Sequence, residues 1–391
     1  MNYFEFNSPT KIYFGKDVEL KVGEVIKEKG YHKVLLHYGK SSIIKNGLYE
    51  KIINSLKAND IEYVELAGVE ANPKIELVRE GVAIAKKENV DLILAVGGGS
   101  VIDSSKLIGV ASKTDVDPWK FSLHEESVKD TIDLMVVLTI SAAGSELSNS
   151  CVISNSSFNL KRGFNSDLIR PKFAFLNPEL TYSVSKFQTA CGIVDILMHT
   201  LERYLVLEDE AHLTFRLSEG LMKTVLSEGL KVMENPNDYT ARANLMLASS
   251  LSHNGLTGMG VKWFFTVHKL EHELSGFYDE VAHAAGLSIL YLAWARYVVE
   301  KFPTKFAMFA RNVLNIPNSN NDYQDALNGI DALEEYFKKI NMPTKMVDLG
   351  LSNVKFEEMA DSATNYGANK ILGILDLTRE DVLTIYKNSY K

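Results

Sequence analysis

Leu92-Ile93-Leu94-Ala95-Val96-Gly97-Gly98-Gly99-Ser100 opens as five apolar residues and empties into three glycines and a serine. A short, wholly apolar run reads as a strand buried on both faces. The pattern from Val101 to Ala111, which follows at once, reads as a helix. Glycines at such a junction let backbone N–H groups approach a pyrophosphate, and the helix amino terminus favours its negative charge. A plain tight turn has the same letters, so the motif needs company.

Working outward, short β-rich runs alternate with helical patterns through the first half, the signature of βαβ units and a largely parallel sheet. Strands are expected at Lys33 to His37, Glu62 to Leu66, Leu92 to Val96, Leu134 to Leu138 and Phe173 to Leu176, with helices such as Leu48 to Ala58 and Lys74 to Glu88 between them. Tyr3 to Phe6 and Lys11 to Phe14, around a Ser-Pro-Thr turn, read as a small hairpin. After about Pro178 the β-branched runs give way to long helical periods, including Ala190 to Leu205, Ala211 to Met233, Tyr239 to Ser252, Ala284 to Phe302 and Tyr323 to Lys339. The expected architecture is a Rossmann-like α/β dinucleotide-binding domain with a parallel sheet over residues 1–180, followed by an all-helical, metal-binding domain over residues 181–391.

Neither GxGxxG after the first strand nor the Lys of a P-loop is present, so no ordinary Rossmann fingerprint is claimed. The first expected strand runs into His37-Tyr38-Gly39-Lys40-Ser41-Ser42, without the acidic residue that holds a free ribose 2′-hydroxyl. Glycine, hydroxyls and nearby Lys45 suit a 2′-phosphate, which predicts NADP(H) over NAD(H). A third polar turn, Thr139-Ile-Ser-Ala-Ala-Gly144-Ser145-Glu146, also follows an apolar strand. All three turns fall at the carboxyl edge of the sheet, where open α/β sheets bind ligands.

Asp195 and His199, four residues apart in Gly192-Ile-Val-Asp195-Ile-Leu-Met-His199, share one face of a helix. His268 and His272 repeat that relation, and His283 follows a bend in Val281-Ala-His283-Ala-Ala-Gly286. The chain has nine histidines, and three fall in this short window. Any one of them is an ordinary packed or solvated side chain; the set, with Asp195 among apolar neighbours, is different. A carboxylate with three imidazoles suits Zn²⁺ or Fe²⁺ and is poor chemistry for Mg²⁺ or Ca²⁺.

Together these motifs resemble the iron-containing, or group III, alcohol dehydrogenases over the whole chain, and within them the NADPH-dependent butanol dehydrogenase and aldehyde reductase branch. The resemblance rests on Gly97 to Ser100 with Asp103 and Lys106, on Ala143-Gly-Ser-Glu146, on Asp195 with His199, and on His268, His272 and His283. It implies a dehydroquinate synthase-like two-domain fold and hydride transfer between NAD(P)H and a small alcohol or aldehyde. It implies Asp195, His199, His268 and His283 as ligands of one divalent metal, with His272 as the catalytic residue beside substrate and cofactor. It implies cofactor contacts from Gly97, Gly98, Gly99, Ser100 and Asp103 at the pyrophosphate and ribose, from Thr139 and Ser148 on the nicotinamide side, and from Lys161. Gly39, Ser41, Ser42 and Lys45 match the loop that accepts the 2′-phosphate in that branch. The chain departs from the family pattern at Lys40, where a glycine is common, at Ile44, where a second lysine is common, and at Ala143, where threonine is usual. His268 and His283 also stand 15 positions apart (283 − 268), one more than the commonest spacing, with the extra residue expected near Asp279 to Ala282.

A net charge of −8 argues against a nucleic-acid partner. No run approaches a membrane span, the start lacks a signal peptide, and two cysteines build no disulfide framework, so a cytoplasmic protein is expected. The resemblance suggests a homodimer. Two other readings are a dehydroquinate synthase-like lyase using NAD and metal, and a binder of metal or nucleotide without catalysis. The aromatic company of Trp263, Phe264, Phe265, Phe277 and Tyr278 suits a small uncharged substrate better than the phosphorylated, carboxylated substrate of such a lyase.

Overall fold

The computed structural model describes residues 1–351 and 354–391. Contacts divide the chain into two units, one of Asn7–Ser185 with Pro236–Asn254, the other of Met1–Phe6, Lys186–Asn235 and Gly255–Lys391.

The first unit is built on eight strands: β1 (Lys11–Phe14), β2 (Lys33–Gly39), β3 (Glu62–Val69), β4 (Leu92–Gly97), β5 (Asp133–Leu138), β6 (Ser150–Asn155), β7 (Leu160–Asn165) and β8 (Phe173–Leu176). Six form a parallel sheet in the order β1-β8-β5-β4-β2-β3. Alternate residues of the central strands feed two cores. Leu35, Ile93, Ala95, Val136 and Leu138 face one; Val34, Leu36, Leu94, Val96 and Val137 face the other. Burial of both faces is why these strands read as unbroken apolar runs.

The chain passes from β2 to its neighbour β3, then crosses back to place β4 on the other side of β2. That reversal puts a topological switch point at the carboxyl ends of β2 and β4, where ligands bind in such sheets. The turns after Gly39 and Gly97 flank it.

One expectation fails here, and one element goes beyond the expected set. There is no hairpin at the start: β1 lies parallel to β8, with Lys11 opposite Phe173, while Asn2 donates its backbone N–H to Gly260 in the other unit's own fold. A Ser-Pro-Thr stretch resembles a turn, but these apolar side chains find their cores separately. The antiparallel pair β6–β7 was not foreseen, since Ser150–Asn155 and Leu160–Asn165 are too polar to read as strands.

The helix Tyr239–His253, which sequence texture groups with the helical half, belongs to the α/β unit. It props the turn after β5. Ser249 Oγ donates to Ala142 O, His253 Nδ1 meets Ala143 O at 2.9 Å, and Ser250 Oγ donates to Glu146 at 2.6 Å. Gly144 has φ +64, and a Cβ there would lie 2.4 Å from Ser249 O, so glycine is required twice over.

The second unit is helical. Its longest apolar burial runs along Lys186–Tyr204 and His283–Val298, which carry three of the expected ligands or their neighbours. No helix among the described residues is long and apolar enough to cross a membrane.

Candidate metal centre

The helix Lys186–Tyr204 is buried along nearly its whole length from Thr189. Asp195 and His199 therefore project into protein, with Asp195 5% and His199 4% exposed. Two further helices, Thr266–Phe277 and His283–Val298, deliver His268 from the first turn of one and His283 from the first residue of the other. The bend of residues 278–282 joins them, closed by Val281 N–H to Tyr278 O.

The four side chains converge. Asp195 Oδ1 lies 3.6 Å from His199 Nδ1, 3.7 Å from His268 Nε2 and 3.9 Å from His283 Nε2. Asp195, His199 and His268 hold donor atoms within 4.8 Å of one another; His283 stands farther out, grouped with Glu271 and His272. Tetrahedral bonds of about 2.1 Å would separate neighbouring donors by roughly 3.4 Å, so small adjustments suffice to close on an ion. Asp195 Oδ1 and His268 Nε2 are buried and make no hydrogen bond. A carboxylate oxygen and a ring nitrogen left so would each cost energy, whereas a cation between them satisfies both.

Two carboxylates orient the imidazoles from behind. Glu202, one turn beyond His199, accepts from Val267 N at 2.5 Å, from His268 N at 3.3 Å and from His268 Nδ1. Glu271 pairs with His283 Nδ1. In each case the Nδ1 proton is fixed, and Nε2 is left as the donor atom facing Asp195. Gly286 makes room, since a Cβ there would sit 2.8 Å from Glu271 Cγ. Sequence reasoning gave neither glutamate a role. The signal was the seven-residue step from Asp195 to Glu202, which keeps one helix face, and the glycine three residues after His283.

Burial alone would depress the His268 pKa, but Glu202 and Asp195 outweigh it and raise it to about 9. His272 is half-buried, its ring 5.6 Å from that of His283 and perpendicular to His268 at 6.5 Å. Phe265 covers His268 at 4.7 Å and His199 at 5.6 Å. The Arg203 guanidinium stacks on both Phe265 and Trp263 at 4.5 Å and donates to His199 O.

In the α/β unit, Gly98 caps the helix Gly99–Ala111. None of Gly97, Gly98 and Gly99 has positive φ; what excludes side chains is crowding. A Cβ on Gly98 would lie 2.2 Å from Ile140 Cγ2, and one on Gly97 2.4 Å from Val101 Cγ2. Thr139 N–H donates to Gly97 O, which ties the β5 turn to the glycine turn. Asp103 accepts from Ser145 Oγ at 2.5 Å and from Val152 N at 2.9 Å. Lys161 is buried on β7. Ser148 is 1% exposed, and its hydroxyl is engaged by Lys106 Nζ and Ser150 N. Gly39 ends β2, and Ser41, Ser42 and Lys45 stand exposed at its short following helix. Lys40 pairs with Glu70, just past β3, at 2.5 Å.

The family model for iron-containing alcohol dehydrogenase matches residues 9–178, and the model for the Fe-containing alcohol dehydrogenase family, C-terminal, matches residues 189–390. The chain is 39% identical over 388 residues to the NADH-dependent butanol dehydrogenase A of Clostridium acetobutylicum, covering 99% of each. It is 32% identical over 391 residues to the NADPH-dependent aldehyde reductase YqhD of Escherichia coli, again covering 99% of each. The crystal structure of NADH-dependent butanol dehydrogenase A from Thermotoga maritima matches with a TM-score of 0.96 at 35% identity, covering 100% of this chain and 99% of that one. Matched across both halves and along its full length, this chain belongs to the iron-containing alcohol dehydrogenase family.

Proposed function

We propose that Asp195, His199, His268 and His283 hold one divalent cation, Fe²⁺ or Zn²⁺, and that this oxidoreductase acts there on small uncharged aldehydes and alcohols. That it is an NAD(P)H-dependent alcohol/aldehyde oxidoreductase follows from its family and its full-length relatives, and a lyase reading is not favoured. What supports the ligand set is the buried, unsatisfied pair Asp195 Oδ1 and His268 Nε2, with two more imidazoles within 3.9 Å of that oxygen.

Bound at these sites, the cation supplies Lewis acidity toward a carbonyl or hydroxyl oxygen and the nicotinamide supplies or accepts the hydride. The chain's own residues do the rest. Glu202 and Glu271 hold the tautomers of His268 and His283. Phe265, packed against His268 and His199, gives the cluster an apolar flank that favours an uncharged substrate. His272, half-buried beside His283, holds a proton on its imidazole and passes it to or from the substrate oxygen. Gly97, Gly98, Gly99, Ser100 and Asp103 receive the pyrophosphate and ribose, and Thr139 and Lys161 line the reacting end. Ser148 contributes through the turn it stabilises, since its hydroxyl is already engaged.

For the adenosine end, Gly39, Ser41, Ser42 and Lys45 favour a 2′-phosphate, which supports NADPH over NADH. Glu70 works against this by engaging Lys40. The relatives named above include both NADH- and NADPH-dependent enzymes. We further propose a homodimer, which light scattering of the purified protein checks. The deciding experiment is an aldehyde panel with NADPH and NADH in parallel, on protein of measured metal content. Aldehyde-dependent cofactor oxidation that scales with bound metal is expected. Full turnover by verified metal-free protein, or His272→Ala with unchanged rate and pH profile, would overturn the respective role.

A further inference from the structure

Lys106 lies on the helix after the glycine turn, and its side chain is 0% exposed. Its ammonium nitrogen has five oxygen neighbours: Ser145 O and Oγ at 2.8 Å, Ser148 O at 3.0 Å and Oγ at 3.2 Å, and Ser150 O at 2.8 Å. Three N–H donors shared among five acceptors form a cage, and the chain from Ser145 to Ser150 curls round one positive charge. Asp103 stands one helical turn earlier, 4.0 Å from the same nitrogen. It joins the cage by accepting from Ser145 Oγ, and reaches β6 by accepting from Val152 N.

We propose that Lys106 is a positioning residue for cofactor binding, whose caged ammonium fixes the turn after β5 against the helix that follows the glycine turn and sets the orientation of Asp103. This rests on the reading above that these two turns receive the nicotinamide cofactor. Burial lowers the Lys106 pKa to about 8, so the group is charged at neutral pH. Burial raises that of Asp103, with Lys106 opposing it. The β5 turn has no regular structure of its own between Leu138 and Ser150. Charge-assisted bonds to three successive points of it are therefore a main source of its order.

The test uses the metal-loaded enzyme. Lys106→Met keeps the apolar stem and removes the charge. Expected are a rise of about ten-fold or more in cofactor KM and in the directly titrated Kd of NADH and NADPH, with kcat at saturating cofactor and metal content changed little. Asp103→Asn should weaken binding too, and the double variant should lose much less than the product of the single losses. Unchanged Kd in Lys106→Met, or losses that multiply, overturn the proposal. Should Lys106→Met fail to fold, Ser145→Ala removes the hydroxyl shared by Lys106 and Asp103; it should raise cofactor KM in the same direction, and an unchanged KM overturns the proposal equally. Wild-type enzyme that binds neither nucleotide would instead overturn the cofactor reading on which this one stands.

Discussion

Glu202→Gln is the sharpest probe of the metal centre, because it changes one atom and leaves the shape intact. In the wild type both carboxylate oxygens accept, one from Val267 N and the other from His268 N and Nδ1. A glutamine keeps one accepting oxygen and turns the other into a donor. If that oxygen serves Val267 N, the new NH₂ faces His268 Nδ1, and the imidazole answers by moving its proton to Nε2. Nε2 then loses the lone pair that faces Asp195 Oδ1. Restoring the ligating tautomer leaves one buried donor unsatisfied, which costs about 1–3 kcal/mol. At about 1.4 kcal/mol per decade, metal affinity should fall roughly 10- to 100-fold, the range typical of residues that orient metal-bound histidines. The assay is chelator competition with Zn²⁺ or Co²⁺ at fixed pH, alongside thermal melts of metal-free protein to show that the variant still folds. An affinity within about two-fold of wild type would show that His268 is not a ligand held by Glu202, and the tautomer argument would go with it.

Other expectations follow the same logic. Glu271→Gln should lower metal affinity through His283, by less than Glu202→Gln because the His283 side chain is 26% exposed; an equal or larger loss in the same chelator titration would contradict this. His37, bonded to Leu66 O and Ser104 Oγ, is pushed by burial from 6.5 to about 4, so it folds neutral. The stability this confers is complete above pH 6.5 and is lost as pH falls towards 4, a loss of roughly 3 kcal/mol that urea melts of wild type should show and His37→Gln should lack. Gly98→Ala should destabilise by about 1–3 kcal/mol and weaken nucleotide binding, and Ile140→Ala should relieve much of that by removing the clashing methyl group; a silent Gly98→Ala would remove the crowding argument. Stripping the metal should lower the melting temperature and abolish aldehyde-dependent cofactor oxidation, with both restored by added Fe²⁺ or Zn²⁺.

What was readable in the sequence was whatever leaves a periodic or clustered trace. The central strands announced themselves because both faces are buried, and β2, β3, β4, β5 and β8 all lie where β-rich runs placed them, although β3 at the sheet edge is half polar. Asp195 and His199 were legible because i, i+4 spacing is itself geometry. The helix Tyr239–His253 showed its amphipathic face but not which core that face would join, and it joined the sheet's unit. Glu202 and Glu271 were hidden for another reason: single carboxylates are common on helices, and only the coordinates reveal which ones touch imidazole Nδ1. Lys106 stood out only as part of the glycine-turn pattern that carries the resemblance, and nothing in its neighbours forecast that Ser145, Ser148 and Ser150 would wrap it.

The same two glutamates bear on which ion the site takes. Asp195, Glu202 and Glu271 are 5%, 3% and 0% exposed, so three carboxylates are buried around this centre. Had all three faced the ion, the donor set would be oxygen-rich and suited to Mg²⁺ or Ca²⁺. In the proposed centre two instead stand behind imidazoles, where their charge would raise the basicity of nitrogen donors, and only Asp195 would offer oxygen directly. Nitrogen-rich sites favour first-row transition metals and Zn²⁺ over the hard alkaline-earth ions. Fe²⁺, Zn²⁺ and Co²⁺ at micromolar concentration should therefore raise the melting temperature of metal-free protein, while millimolar Mg²⁺ or Ca²⁺ should not. If Mg²⁺ stabilises the protein as well as Zn²⁺ does, the ion is being held by carboxylates, and the arrangement in which Glu202 and Glu271 stand behind histidines has been misread.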